Sequence, residues 1–248
     1  MSFLTSLFGK KEQAQHEDFI FVDMHSHLIP KIDDGSKSLD ESVELIKKLV
    51  EFGYKKIITS PHIMGDFYKN TPEIILGGLS ELKQRLKSEN IEIEIDAAAE
   101  YYLDEWFIEK LNKNEPLLTF GKKYVLFETS YMNEPAHLHQ AIFSMRTLGY
   151  TPVLAHPERY LYLYNDFSAF EKIYEMDVLF QINLNSLMGY YSKPAKQFAE
   201  KLIDNKMVDF VGTDCHGMRH LNVLKDTRAS KYYNKLANLN LLNNTLLS

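Results

Sequence analysis

Residues 19–27 read Phe-Ile-Phe-Val-Asp-Met-His-Ser-His. An apolar, β-branched run thus delivers two histidines, one residue apart, at its carboxyl end. Alternate side chains of an extended segment point the same way, so His25 and His27 can face one point. Outward from this stretch the same theme recurs. Further strand-like runs lie at Lys56–Ser60, Ile91–Ala97, Tyr124–Glu128, Pro152–Ala155, Val178–Asn183 and Val208–Gly212. Most are nearly continuous in apolar character, as suits a parallel sheet covered on both faces.

Helical signals separate these runs. Ser38-Leu-Asp-Glu41 is a capping-box match ahead of a helix that Gly53 closes. Thr71-Pro72-Glu73 opens a second, with proline in the first turn. Others are expected over Glu134–Leu148, Phe167–Met176, Pro194–Asn205 and from about Leu221. Strand then helix, repeated along the chain, predicts either an α/β barrel or a doubly wound sheet. No linker or composition break appears, so residues 19–248 are expected to form one domain.

Composition narrows the function. With 248 residues, 45% hydrophobic and 25% charged, the chain is not a disordered one. The net charge of −6 argues against a general nucleic-acid-binding surface. The one cysteine excludes a disulfide framework and any CxxC zinc site, and fits a reducing compartment. No run reaches the length of a membrane-spanning helix. The opening Met1–Lys11, MSFLTSLFGKK, does not read as a secretory signal. Residues 1–18 are expected to be a flexible extension, with a short membrane- or partner-touching amphipathic segment as the sharper alternative.

In parallel α/β folds chemistry sits at the carboxyl ends of the strands. Here those ends carry His25 and His27, then Asp34; His62; Glu100; Glu128; His156 with Arg159; and Asp214 with His216. The sixth strand instead ends in Asn183 and Asn185. Imidazoles mixed with carboxylates suit Zn²⁺, Mn²⁺ or Fe²⁺ better than Mg²⁺ or Ca²⁺ alone. A tetrahedral site needs about four ligands. Nine candidates, His25, His27, Asp34, His62, Glu100, Glu128, His156, Asp214 and His216, imply two or three ions. Without cations the four carboxylates would repel one another and any anionic substrate. Three divalent ions would make the mouth positive even before Arg159 is counted. His16, His137, His139 and His220 lie off the strand ends and read as surface or helix residues. Cys215 reads as a small spacer between two ligands; no C-x5-R thiolate loop accompanies it.

The motifs DMHSH, DDG, SPH, the lone Glu100, LFE, AHPER and TDCH, in this order, resemble the PHP (polymerase and histidinol phosphatase) superfamily. More narrowly they resemble the bacterial PHP-type protein-tyrosine phosphatases of capsule and exopolysaccharide operons. The resemblance runs from about residue 20 to 225. It implies a distorted seven-stranded (β/α) barrel with the site at the C-terminal ends of the strands and up to three ions, often manganese. It implies His25, His27, Glu100 and Asp214 around one ion, Glu100 and Glu128 bridging or flanking others, and Asp34, His62, His156 and His216 completing the set. Arg159 matches the family's phosphate-binding arginine, and a metal-bridging water would be the nucleophile. The expected substrate is a tyrosine-phosphorylated protein, a bacterial tyrosine kinase being the implied partner, in the cytoplasm or at the membrane through that partner. Tyr101, Tyr160, Tyr190 and Arg219 are candidate rim residues. Asp33 is a weak candidate for the general acid, and Glu158 reads as a partner of the ligands.

Two other classes compete. One is a small-molecule phosphatase such as histidinol phosphatase, since fold does not fix substrate. The other is an idle, metal-stabilised binding protein. An amidohydrolase would commonly place a lysine where YVLFET supplies Glu128.

Overall fold

In a computed structural model the described residues are 19–164 and 166–247. The expected 1–18 extension lies outside them. Among the described residues are nine short strands and eight α-helices, and every pairing between these strands is parallel. The first half runs β1 (Val22–Asp23), α1 (Leu39–Glu51), β2 (Lys56–Thr59), β3 (His62–Ile63), α2 (Pro72–Ser88), β4 (Glu94–Ala97), β5 (Glu100–Tyr102) and α3 (Glu105–Asn112). The second runs β6 (Tyr124–Glu128), α4 (Leu138–Thr147), β7 (Thr151–Ala155), α5 (Ser168–Tyr174), β8 (Leu179–Asn183), α6 (Lys193–Asp204), β9 (Phe210–Gly212), α7 (Met218–Arg228) and α8 (Lys231–Leu236).

All seven expected strand regions are present, but not as one ring of seven strands. They form a three-stranded sheet, β1-β2-β4, and a six-stranded sheet, β3-β5-β6-β7-β8-β9. Beyond the second and third expected strands the chain resumes as two further short strands, β3 and β5, after breaks at Ser60-Pro61 and Ala98-Ala99. Proline has no N–H to give a ladder. The register nevertheless carries across the break, from Thr59↔Ala97 to His62↔Glu100. The chain therefore passes from one sheet to the other without a slip, and His62 and Glu100 begin strands β3 and β5 side by side.

The first and last strands meet without a regular ladder. Asn243, buried near the C-terminus, donates to Val22 O at 2.9 Å and Val211 O at 2.7 Å, and accepts from Val211 N at 3.0 Å. One side-chain amide thus stands in for a strand pairing. Above it, Asp23 accepts from Thr213 N and Thr213 Oγ1. Higher still, Asp214 N donates to His25 O and His27 N donates to Cys215 O. Those last two bonds bring the His25–His27 and Asp214–His216 segments together. Gly212 is needed at this seam, because a Cβ there would sit 2.6 Å from His25 Cβ.

Two apolar clusters flank the strands. Val22, Met24, Ile58, Leu126, Val153, Ala155 and Phe210 collect on one side with Phe120 and Leu246. Ile57, Val125, Phe127, Leu154 and Phe180 pack on the other beneath the helices. Within β6 this alternation puts Leu126 and Glu128 on the same face. α3 was not expected; Asp104 caps it through Phe107 N at 2.8 Å, and its eight residues carry too few turns for a clear period. α4 starts at Leu138 rather than Glu134, because Pro135 is spent in the preceding turn.

Asn243→Ala would leave three buried backbone groups unpaired. The expected loss is about 3 kcal/mol of stability, read as a lowered urea midpoint at unchanged slope. An unchanged midpoint would show that the amide does not hold the seam.

Candidate metal centre

Glu100 lies at the centre of the site, fully buried at the start of β5. Its Oε2 is 3.1 Å from His25 Nε2, 3.4 Å from His27 Nε2 and 3.2 Å from His62 Nδ1. Its Oε1 is 3.0 Å from His156 Nε2. Asp214 Oδ1 lies 3.5 Å from both His25 Nε2 and His27 Nε2. Glu128 Oε1 is 3.1 Å from His62 Nδ1, and Glu128 Oε2 is 3.8 Å from His156 Nε2. Asp34 Oδ1 is 3.5 Å from His62 Nε2 and 3.3 Å from His216 Nε2. All nine expected ligand positions therefore converge. Three overlapping groups could each hold an ion: His25, His27 and Glu100; His62, Glu100 and Glu128; and His27, Asp34, His62 and His216.

The surrounding hydrogen bonds show what the centre lacks. Gln181 Nε2 donates to Asn183 Oδ1 at 3.0 Å, which leaves the Gln181 carbonyl oxygen to accept from His25 Nδ1 at 2.8 Å. Asp33 Oδ2 accepts from His27 Nδ1 at 2.8 Å. With both Nδ1 protons so placed, the neutral rings turn bare Nε2 lone pairs toward each other at 3.3 Å, and toward Glu100 and Asp214. Lone pairs facing lone pairs and carboxylates require a cation. Ligands about 2.1 Å from one ion lie roughly 3 to 3.4 Å apart, the spacing seen here. His62 Nδ1 is buried beside two carboxylate oxygens yet hydrogen-bonded to neither. The donor set thus fits divalent metals, with outer residues orienting the imidazoles as metal-bound histidines require.

Without metal, protons take the cation's place. Burial alone would push the His25 pKa down, but Glu100 and Asp214 outweigh it and raise it to about 9. Burial opposes protonation of His62 too, yet Glu100 and Glu128 raise its pKa to about 10. Asp214 and Asp34 do the same for His216, to about 9. Burial disfavours the Glu100 anion, but the imidazoles hold its pKa well below the usual carboxylate range. Two of the candidate ligands also sit in the left-handed region, His156 at φ 34° and Asp214 at φ 50°. Such conformations are costly and persist where the surroundings enforce them.

A cavity of about 270 Å³ opens over this centre, lined by Asp34, His62, Tyr131, His156, Arg159, Tyr191, Asp214, His216 and His220. A larger groove, about 440 Å³, runs along α2 and β4, but its charged side chains gather no ligand group. Arg159 Nη1 donates to Asp214 Oδ2 at 3.1 Å on the cavity wall. The expected rim fares differently. Tyr101 and Tyr160 are fully buried; Tyr101 OH accepts from Leu118 N, and Tyr160 OH donates to Ala155 O. Both are core residues, because each ring packs behind the strand ends rather than before them. Arg219 is exposed and does not line the cavity. Tyr190 is partly exposed and packs on Tyr191 and His220.

Several contributors have roles that the sequence does not show. His220, expected as a surface or helix residue, lies on α7 and lines the cavity; burial pushes its pKa down to about 4. Tyr131 and Tyr191 flank Arg159. Gln181 and Asn183 sit two apart on β8, and that alternation was the available signal. Asp33 accepts from His27 Nδ1, Gly35 N and His62 N. Although buried, its carboxyl is held below the usual range by His27, which makes it a poor acid. Glu158 Oε1 accepts from Asn183 N and Ser186 Oγ, and so braces the loop after β8.

Comparison with known proteins agrees with this geometry. Residues 21–238 match the family model described as capsular polysaccharide synthesis, CpsB/CapC. The tyrosine-protein phosphatase YwqE of Bacillus subtilis is 29% identical over 201 residues, covering 81% of this chain and 79% of that one. A chain from the crystal structures of YwqE from Bacillus subtilis and CpsB from Streptococcus pneumoniae, metal-dependent tyrosine phosphatases, superposes with a TM-score of 0.79 at 27% identity. It spans 91% of this chain and 94% of its own. An amidohydrolase from Mycoplasma synoviae shares the fold at a TM-score of 0.52 and 14% identity, over 92% of this chain and 87% of its own.

Removing the Asp33 carboxylate frees the His27 ring. Asp33→Ala is expected to weaken metal binding about tenfold or more, measured by competition with a chelator; unchanged affinity would contradict the orienting role. The raised histidine pKa values also set a pH dependence. These groups bind protons more tightly folded than unfolded, where the value is near 6.5. Their contribution is full below that value and lost as pH rises through about 9 to 10. Chelator-treated protein is therefore expected to have a lower urea midpoint at pH 9.5 than at pH 7; a flat or rising profile would contradict the charge balance.

Proposed function

We propose, for a chain that belongs to the CpsB/CapC capsular polysaccharide synthesis family, that it is a metal-dependent phosphomonoesterase acting on phosphotyrosine in proteins. The observation that carries this reading is the convergence of imidazoles and carboxylates on Glu100 beneath a cavity that also presents Arg159. Nine ligand candidates support two to three ions, with manganese favoured by the family resemblance and iron or zinc as alternatives. We read the two sheets as parts of one distorted seven-stranded barrel, a reading supported by the continuous register at Pro61 and the Asn243 seam. Residues 19–248 are taken as one domain, since Asn244 pairs with Phe19 and Phe21 across the length of the chain.

Bound divalent ions would neutralise phosphoryl oxygens and lower the pKa of a water at the centre. The chain's own residues do the rest. Arg159 offers a planar fork to two phosphoryl oxygens and keeps its charge at any working pH. Asp214, through its two oxygens, links that fork to the histidine cluster. His25 and His27 are kept in one tautomer by Gln181 and Asp33, so their Nε2 atoms are ready as ligands. A phenolate is a fairly good leaving group, so the reaction can proceed without a strong general acid. A tyrosine-phosphorylated kinase of polysaccharide export is the partner this reading favours. The resemblance and the one cysteine favour action in the cytoplasm, with any membrane association through the partner; no helix among the described residues is long and apolar enough to cross a membrane.

Phosphate release from a phosphotyrosine peptide and from histidinol phosphate, measured side by side with Mn²⁺, tests this. Preferential, chelator-sensitive turnover of the peptide is expected, with His156→Ala lowering the rate at least a hundredfold, on the order of a lost electrostatic group. Preference for histidinol phosphate would overturn the substrate, and no turnover of either by metal-loaded protein would overturn the phosphatase reading.

A further inference from the structure

The guanidinium of Arg159 lies between two aromatic faces. Its Cζ is 4.6 Å from the centre of the Tyr131 ring and 4.1 Å from that of Tyr191. The rings come from different places: Tyr131 follows β6, and Tyr191 follows β8. Among the described residues, Asp214 Oδ2 is the one hydrogen-bond acceptor of the Arg159 side chain. A guanidinium carries five N–H donors in one plane. Aromatic faces attract it from above and below through the ring quadrupole and take none of those in-plane donors. Carboxylates in the same places would consume the donors and repel an incoming anion.

Each ring is also tied to the ligand cluster. Tyr131 OH donates to Glu128 Oε2 at 3.4 Å. Tyr191 OH donates to Asp214 Oδ2 at 3.2 Å and accepts from Asn183 Nδ2 at 3.1 Å. Asn183 Nδ2 in turn donates to Asp214 Oδ2 at 2.6 Å. The two tyrosines thus reach the arginine with their faces and the candidate metal ligands with their hydroxyls.

We propose that Tyr131 and Tyr191 are positioning residues that hold the Arg159 plane in register with the metal centre, leaving its free N–H groups for an anionic phosphoryl group. The inference rests on the phosphatase reading, and it assigns the tyrosines to arginine alignment rather than to contact with the substrate's aryl ring. It explains why two tyrosines with ring faces and hydroxyls both engaged stand where one hydrophobic wall would suffice for packing.

The test uses metal-loaded full-length protein and two readouts: competitive inhibition by inorganic phosphate, and KM and kcat for a small aryl phosphate. Tyr131 is 37% exposed and tolerates substitution most readily. Tyr131→Leu is expected to weaken phosphate inhibition and raise KM about tenfold each, the scale of a desolvated cation–π contact. Tyr131→Phe keeps the ring face but loses the hydroxyl link to Glu128, and is expected to lose clearly less than Tyr131→Leu in both readouts. Metal content, by elemental analysis, is expected to be unchanged in either variant. In an Arg159→Ala background, Tyr131→Leu is expected to add nothing further, because its effect passes through the arginine. An equal loss in that background would overturn the proposal in favour of direct substrate contact. Unaltered phosphate inhibition in Tyr131→Leu would overturn it outright. If aryl phosphate is not turned over at all but phosphate binding still falls more in Tyr131→Leu than in Tyr131→Phe, the clamp stands and the phosphatase reading fails. Tyr191→Leu and Tyr191→Phe repeat the comparison from the other face, with the Leu variant again expected to lose phosphate affinity.

Discussion

One buried carboxylate organises this molecule. Glu100 has no solvent exposure, and four imidazoles from three parts of the chain approach its two oxygens within 3.4 Å. A carboxylate taken out of water must be compensated by positive charge or by donors. Here the compensating groups are bases whose own second nitrogens are committed outward, to Gln181 in one case and to Asp33 in another. The arrangement balances only when protons or metal ions occupy the space between the ligand atoms. Burial, tautomer control and the raised histidine pKa values are three views of that one constraint.

The fold serves the constraint by bringing distant segments into register. His25 and His27 leave β1, while Asp214 and His216 leave β9, nearly two hundred residues later. The bonds from Asp214 N to His25 O and from His27 N to Cys215 O hold the two segments side by side. Asn243 and Asp23 close the same seam lower down with side chains instead of a backbone ladder. On the far side, the parallel register that survives the break at Pro61 seats His62 beside Glu100. His156 and Asp214, both at the site, hold left-handed backbone conformations that cost free energy.

Much of this was legible beforehand, for a physical reason. Strand-ending His, Asp and Glu are poor choices for packing and good choices for binding cations, so the nine ligand positions stood out against apolar runs. The seven strand regions were readable for the same contrast. What could not be read depended on tertiary detail. Nothing local distinguishes Tyr101, whose hydroxyl meets a loop amide in the core, from Tyr131, whose ring faces Arg159. His220 looks like any polar helix residue until α7 is seen to turn it toward the cavity. Gln181 and Asn183 carry no charge, and their importance lies in the hydrogens they assign to charged neighbours. The split into two sheets falls at Ser60-Pro61 and Ala98-Ala99, and the short helix α3 starts at an Asp104 cap with little periodic support.

The reading proposed for this site implies that the ligand groups meeting at Glu100 hold more than one divalent ion. Anomalous diffraction at the manganese edge, from crystals grown with Mn²⁺, tests it most directly. The expected result is at least two separate peaks among the groups His25, His27 and Glu100; His62, Glu100 and Glu128; and His27, Asp34, His62 and His216. A single peak, or peaks that leave Glu100 without a metal contact, would contradict it.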